Sequence, residues 1–221
     1  MVQRSSRIAE IDQRVDRLFT LVSEALAGAT VALLSGDRAV AQSVIDGDAA
    51  IDELTIGLDH AVWHVIETEQ PAGLELRTLV SVLLILPELE RSADLAEHIA
   101  QRAVRNLGID MSPASRGIVQ RMSEVASEMW AAAADAFADR SSQSVAIDGA
   151  DEELDILRDR LTSEVAGGSM PAGVSAQVAL LGRFYERLGD HAVNLARRVE
   201  LLRPVLGQVS DTATTPPLLA E

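Results

Sequence analysis

The stretch ERLGDHAVNLARR, Glu186–Arg198, places Glu186, Asp190, Asn194 and Arg198 four residues apart. Near the middle of the chain ERSADLAEHIAQR, Glu90–Arg102, sets Glu90, Asp94, His98 and Arg102 at the same intervals. Residues four apart share one face of an α-helix, with a drift of roughly 40° per step, so each stretch lays a polar row along a helix. Apolar and small residues run beside each row. They are Val82, Ile85, Leu89, Ser92, Ala96, Ile99 and Ala103 in one, and Val178, Leu181, Tyr185, Leu188, Ala192, Leu195 and Val199 in the other. Steps of three and four make a heptad seam. Its occurrence twice predicts a duplicated helical unit.

The rest of the chain fills out two such units. Ile8, Ile11, Val15, Leu18, Val22, Ala25 and Ala29 form a first seam, ended by Gly36 and Asp37. Val40, Val44, Gly47, Ile51, Leu54, Leu58, Ala61 and Val65 form a second, ended by EQPAG at Glu69–Gly73. After NLGIDMSP, Asn106–Pro113, the order restarts with Ile118, Met122, Val125, Met129, Ala132 and Ala136, then Ile147, Ala150, Leu154, Leu157 and Leu161. The matching seams lie at offsets of about 107, 103 and 96 residues. The expected fold is all-α: two tandem antiparallel three-helix bundles, residues 1–107 and 108–205, followed by a flexible tail over 206–221. Helices of about 25–35 residues are expected, longer than the usual globular helix. Pro87 falls inside the third helix, where a proline removes a hydrogen bond. A kink or register adjustment is therefore expected in the first half, since the second half has Arg183 at that place.

Composition narrows the function. Of 221 residues 48% are hydrophobic, which excludes disorder over most of the length. The absence of cysteine excludes disulfides, thiolate zinc and thiol catalysis. A net charge of -15 repels phosphate backbones, so nucleic acid is not an expected partner. The N-terminal MVQRSSRIAEIDQRVDRL has no apolar h-region, and the apolar run TLVSVLLILP, Thr78–Pro87, is too short to span a bilayer. A soluble, cytoplasmic protein is the expectation.

The polar rows gain chemical meaning from their neighbours. Glu90 and Asp94 flank the third seam, and Glu186 and Asp190 flank the sixth. On the preceding helices Asp48 and Asp52, and Asp151 and Asp155, are also four apart and occupy equivalent places in the two halves. If these helices are antiparallel neighbours, two carboxylate pairs face one another across a groove. Protons, arginines or a metal ion must then offset their repulsion. Acids spaced by four are common on solvated faces, and Arg91 and Arg187 offer salt-bridge partners. Repetition at matched positions favours a metal. Oxygen donors suit hard cations such as magnesium, manganese, calcium and oxidised iron. His98 offers an additional nitrogen; His60 and His64 read as ordinary surface or groove residues.

With these motifs in hand, the chain resembles the PhoU family, accessory regulators of the phosphate-specific transport system, over about residues 5–203. YERLGDHAVNLA, Tyr185–Ala196, is very close to the family signature. LERSADLAEHIA, Leu89–Ala100, departs from it at Ser92, Ala93 and His98, where the family commonly has Ile, Gly and Asn. The resemblance implies two three-helix bundles whose acidic motifs bind iron, manganese, magnesium or other divalent or trivalent metal ions. Carried over, the ligands are Asp48, Asp52, Glu90, Asp94, Asp151, Asp155, Glu186 and Asp190. It also implies a regulator without enzymatic activity. Such a protein relays the state of a phosphate ABC transporter, through its nucleotide-binding subunit, to a sensor histidine kinase and holds the starvation response off. A homodimer is the expected assembly, and membrane association is expected only through partners.

Two other readings stay open. A di-iron carboxylate enzyme would carry Glu-x-x-His motifs, and His60, His64, His98 and His191 all lack a glutamate three residues earlier. A metal-free helical scaffold is the second. GGSM, Gly167–Met170, lacks the Lys-Ser/Thr of a phosphate-cradling loop, so direct phosphate sensing is not expected.

Overall fold

The computed structural model describes residues 6–139 and 144–200. The expected tail over 206–221 lies outside the described residues. The elements are α1 (Ser6–Ser35), α2 (Arg38–Glu69), α3 (Gly73–Val104), α4 (Leu107–Asp110), α5 (Pro113–Asp139), α6 (Ser144–Ala166) and α7 (Ala172–Glu200). Six long helices match the six seams. The seventh, α4, is a single turn inside the segment read from sequence as a closing loop. α3 continues through Pro87 as one element.

Helix ends follow from local chemistry. Gly36 takes φ +77, a left-handed conformation that stops α1. Asp37 then caps α2, its Oδ1 accepting from the backbone N–H of Ala39 at 2.9 Å and Val40 at 3.2 Å. Ser112 caps α5 by accepting from the Ser115 N–H at 3.1 Å, and its hydroxyl donates to Glu164 on α6 at 3.0 Å. Pro113 sits in the first turn of α5, where its missing donor costs nothing. Gly168, φ +74, closes α6.

The seams are the core. Ile8, Ile11, Val15, Leu18, Val22 and Ala29 of α1 are buried, as is every seam residue named for α3 and α7, including Tyr185 at 0% exposure. This burial also accounts for α1 being long and apolar enough to cross a membrane by length and composition. Its apolar stripe is spent on neighbouring helices. α2 packs on α1 and α3, and α6 on α5 and α7.

The halves do not hang apart. α3 packs against its counterpart α7, and α1 against its counterpart α5, an arrangement with pseudo-two-fold character. Phe19 of α1 meets Trp130 and Phe137 of α5, with ring centroids 6.3 and 5.5 Å apart. The Thr30 and Tyr185 hydroxyls are 2.7 Å apart in the buried centre of the seam. The α4 turn is pressed onto the end of α1: a Cβ at Gly108 would lie 1.6 Å from the Leu33 carbonyl oxygen. Arg116 ties the corner by donating to the carbonyls of Leu34 and Gly108. Sequence periodicity assigns each apolar face to its own bundle; it carries no sign that the first and third helices also face their counterparts.

Candidate metal centre

In the first repeat, α2 and α3 are antiparallel neighbours and present their acids to one another. Asp48, Asp52, Glu90 and Asp94 are all half-buried. Burial pushes the Asp48 carboxyl up to about 6, and the charges of Asp52, Glu97, Asp94 and Glu90 add to the rise. Glu90 is raised by burial and then by Asp94 and Asp52, with Arg91 opposing. Asp94 is raised by burial and then by Asp52 and Glu97, with His98 opposing. These mutual perturbations identify one carboxylate field across the α2–α3 groove. Glu97 belongs to it and was not singled out from the sequence. Its spacing three residues after Asp94 was the available signal. Gln101 holds it through a bond from Nε2 to Glu97 Oε1 of 3.0 Å.

In the second repeat the four equivalent acids divide. Glu186 is buried, at 9% exposure, and is held by two guanidinium groups. Arg158 Nη1 of α6 donates to Glu186 Oε1 at 3.1 Å and lies 3.4 Å from Asp155. Arg183, one turn earlier on α7, binds both Glu186 carboxylate oxygens. Neither is the arginine next to the acid in sequence. Asp151 and Asp190 form the other pair. The Asp151 carboxyl is raised by burial and then by Asp190, Asp155 and Asp148, with Arg197 opposing. Asp155 and Asp190 are exposed. Gly189 lets α6 approach α7 here, for a Cβ would stand 2.6 Å from Leu154 Cδ2 and 3.3 Å from Asp151 Oδ1.

Between the repeats lies a polar cavity of about 320 Å³, lined by Glu88 and Arg91 of α3, Asp151 of α6, and Asp190, His191 and Arg197 of α7, among others. His191 is fixed across the seam. The Ser92 hydroxyl donates to the Glu88 carbonyl at 2.7 Å, so its oxygen accepts from His191 Nδ1–H at 2.8 Å. Burial, then the charges of Arg187 and Arg91, hold the imidazole down to about 4. Nε2 is therefore a bare lone pair facing Glu88 Oε2 at 3.9 Å. His98 is exposed and stacks on Phe184 at 5.7 Å, and Arg102 lies over the same ring at 4.5 Å. His60 and His64 are exposed, as the sequence suggested.

Among the described residues, no three His, Asp or Glu side chains are grouped tightly enough to enclose one ion as they stand. The fit to a cation rests on chemistry. The first repeat offers oxygen donors whose repulsion is opposed only in part, by Arg91 beside Glu90 and His98 beside Asp94. It also holds an orphaned buried oxygen, Thr55 Oγ1, one turn after Asp52 on the same helix face. A hard cation suits that donor set. In the second repeat, half of the donors are already bound to arginine.

The PhoU domain profile matches residues 15–103 and 119–199, one match on each bundle. The chain belongs to the PhoU family. A Mycobacterium leprae relative described as phosphate-specific transport system accessory protein PhoU homolog 1 is 30% identical over 197 residues, covering 87% of this chain and 89% of the relative. PhoU homolog 2 of Mycobacterium tuberculosis is likewise 30% identical, covering 87% of this chain and 92% of its own length. The crystal structure of PhoU from Pseudomonas aeruginosa superposes with a TM-score of 0.84 at 25% identity, over 90% of this chain and 98% of that one. The PhoU relatives are thus accessory proteins of phosphate transport with the same two-repeat helical architecture.

Proposed function

We propose that this chain is an accessory regulator of a phosphate-specific transport system, acting by binding and relay rather than by catalysis. The observation that carries the reading is the double PhoU match on two seam-packed bundles, together with near-full-length relatives described as phosphate transport accessory proteins. Two rigid bundles joined through counterpart helices present long helical faces at a fixed separation, which suits a protein that touches two partners. The partners are the transporter's nucleotide-binding subunit and a membrane-bound sensor histidine kinase. The protein works in the cytoplasm, as a homodimer, and restrains the phosphate-starvation response when phosphate is ample.

In this reading Asp48, Asp52, Glu90, Asp94 and Glu97 hold a hard cation, iron, manganese or magnesium. The cation supplies positive charge to a groove that otherwise stores carboxylate repulsion, and so stiffens the α2–α3 face. Deleting the gene and following starvation-gene expression in phosphate-rich medium tests the function. Constitutive expression, reversed by the intact chain, is expected. Expression that stays off in the deletion strain overturns the reading.

A further inference from the structure

The two repeats differ at the positions that decide what neutralises their acids. Arg158 stands three residues after Asp155. The equivalent residue, three after Asp52, is Thr55. Arg183 stands three residues before Glu186. The equivalent, three before Glu90, is Pro87. Threonine and proline carry no charge. The first repeat therefore has no counterpart of the guanidinium pair that grips Glu186, and it adds an acid, Glu97, where the second has the apolar Val193.

We infer that cation binding in this chain is confined to the first repeat, and that in the second the guanidinium groups of Arg158 and Arg183 stand permanently in the metal's place. The inference rests on the cation reading of the first repeat. Its physical basis is competition for the same lone pairs. Both oxygens of Glu186 are taken, and the carboxylate is buried with its partners already in contact. An incoming ion has to displace three charge-assisted bonds from two arginines and leave those arginines beside a cation. Asp155, the donor across the groove from Glu186, shares Arg158. Only Asp151 and Asp190 remain, and Arg197 and Arg91 line the same cavity as both. In the first repeat, by contrast, an ion relieves repulsion among five acids without displacing any arginine.

The test is bound manganese per chain, measured by elemental analysis after equilibrating the purified full-length protein with Mn²⁺ and removing excess. The proteins are wild type, Asp52→Asn with Asp94→Asn, Glu186→Gln with Asp190→Asn, and Asp190→Asn alone. Asp190 is exposed, so the single variant keeps its fold even if the Glu186 variant does not. Wild type and both second-repeat variants are expected to carry equal manganese, and the first-repeat variant to carry none. Loss of half or more of the ions in Asp190→Asn overturns the confinement while leaving the first site standing. No manganese on wild type overturns the first-repeat site itself, and the inference with it.

Discussion

The two repeats have the same helices, the same acidic spacing and different electrostatics. In the first, Asp48, Glu90 and Asp94 are all raised from their ordinary values because burial and like charges act on them together. In the second, the acid that is most buried, Glu186, is clamped by two arginines. One bundle thus carries clustered acids that no arginine pair grips, and the other holds its most buried acid between two guanidinium groups while Asp151 and Asp190 still repel. The same scaffold occurs twice; the residues three before and three after the acids decide whether arginines reach them.

The comparison can be broken most forcefully by removing the clamp. Replacing Arg158 and Arg183 together with alanine leaves Glu186 buried beside no cation, and costs about 3 kcal/mol of stability at pH 7. Thr55→Ala in the first repeat removes only an orphaned hydroxyl and changes stability by less than about 0.5 kcal/mol. Urea denaturation of both variants checks the contrast; equal losses would erase it. Close packing gives the next effect. Gly189→Ala drives a methyl against the Leu154 side chain, and after the helix-propensity gain of alanine is set against it the net cost is about 1 kcal/mol. The reverse change at the equivalent position, Ala93→Gly, costs about 1 kcal/mol through helix propensity. The bond across the seam is no larger. Tyr185→Phe removes the hydroxyl that meets Thr30 and costs about 1 kcal/mol, read as a lower thermal midpoint.

The smallest effect is the pH dependence of the metal-free protein. Asp48 titrates near 6 when folded, against 3.8 for its ordinary value. Between those values the folded state binds more protons than the unfolded state, so this group's contribution falls as pH rises from 3.8 to about 6. His191 has the opposite sign. Its folded value of about 4 lies below 6.5, so its contribution rises over that window. The difference between wild type and Asp48→Asn isolates the aspartate. In chelator the variant is expected to melt higher than wild type at neutral pH, and the gap to close as pH falls to about 4. A gap that stays constant would remove Asp48 from the carboxylate field.

Much of this was legible in the sequence. Three- and four-residue steps located six long helices, because an amphipathic helix must repeat its apolar face at that period. The acids at Asp48, Asp52, Glu90 and Asp94 were visible as one groove for the same reason. What periodicity does not encode is which long side chain reaches which acid. Arg91 and Arg187 are next to the acids in sequence, and Arg91 reaches the cavity between the repeats. Arg158 and Arg183, three residues away on the same faces, are the ones that reach Glu186. Glu97 was hidden because attention to four-residue spacing passes over a three-residue neighbour. The α1–α5 and α3–α7 contacts were hidden because a broad apolar face has the same pattern whether it serves one neighbour or two.

The most direct test of the asymmetry is backbone hydrogen exchange, followed by mass spectrometry on the chelated protein before and after adding Mn²⁺. The account predicts added protection in α2 and α3 around Asp48–Asp52 and Glu90–Glu97, with α6 and α7 unchanged. Equal protection around Asp151–Asp155 and Glu186–Asp190, or protection there alone, would contradict it.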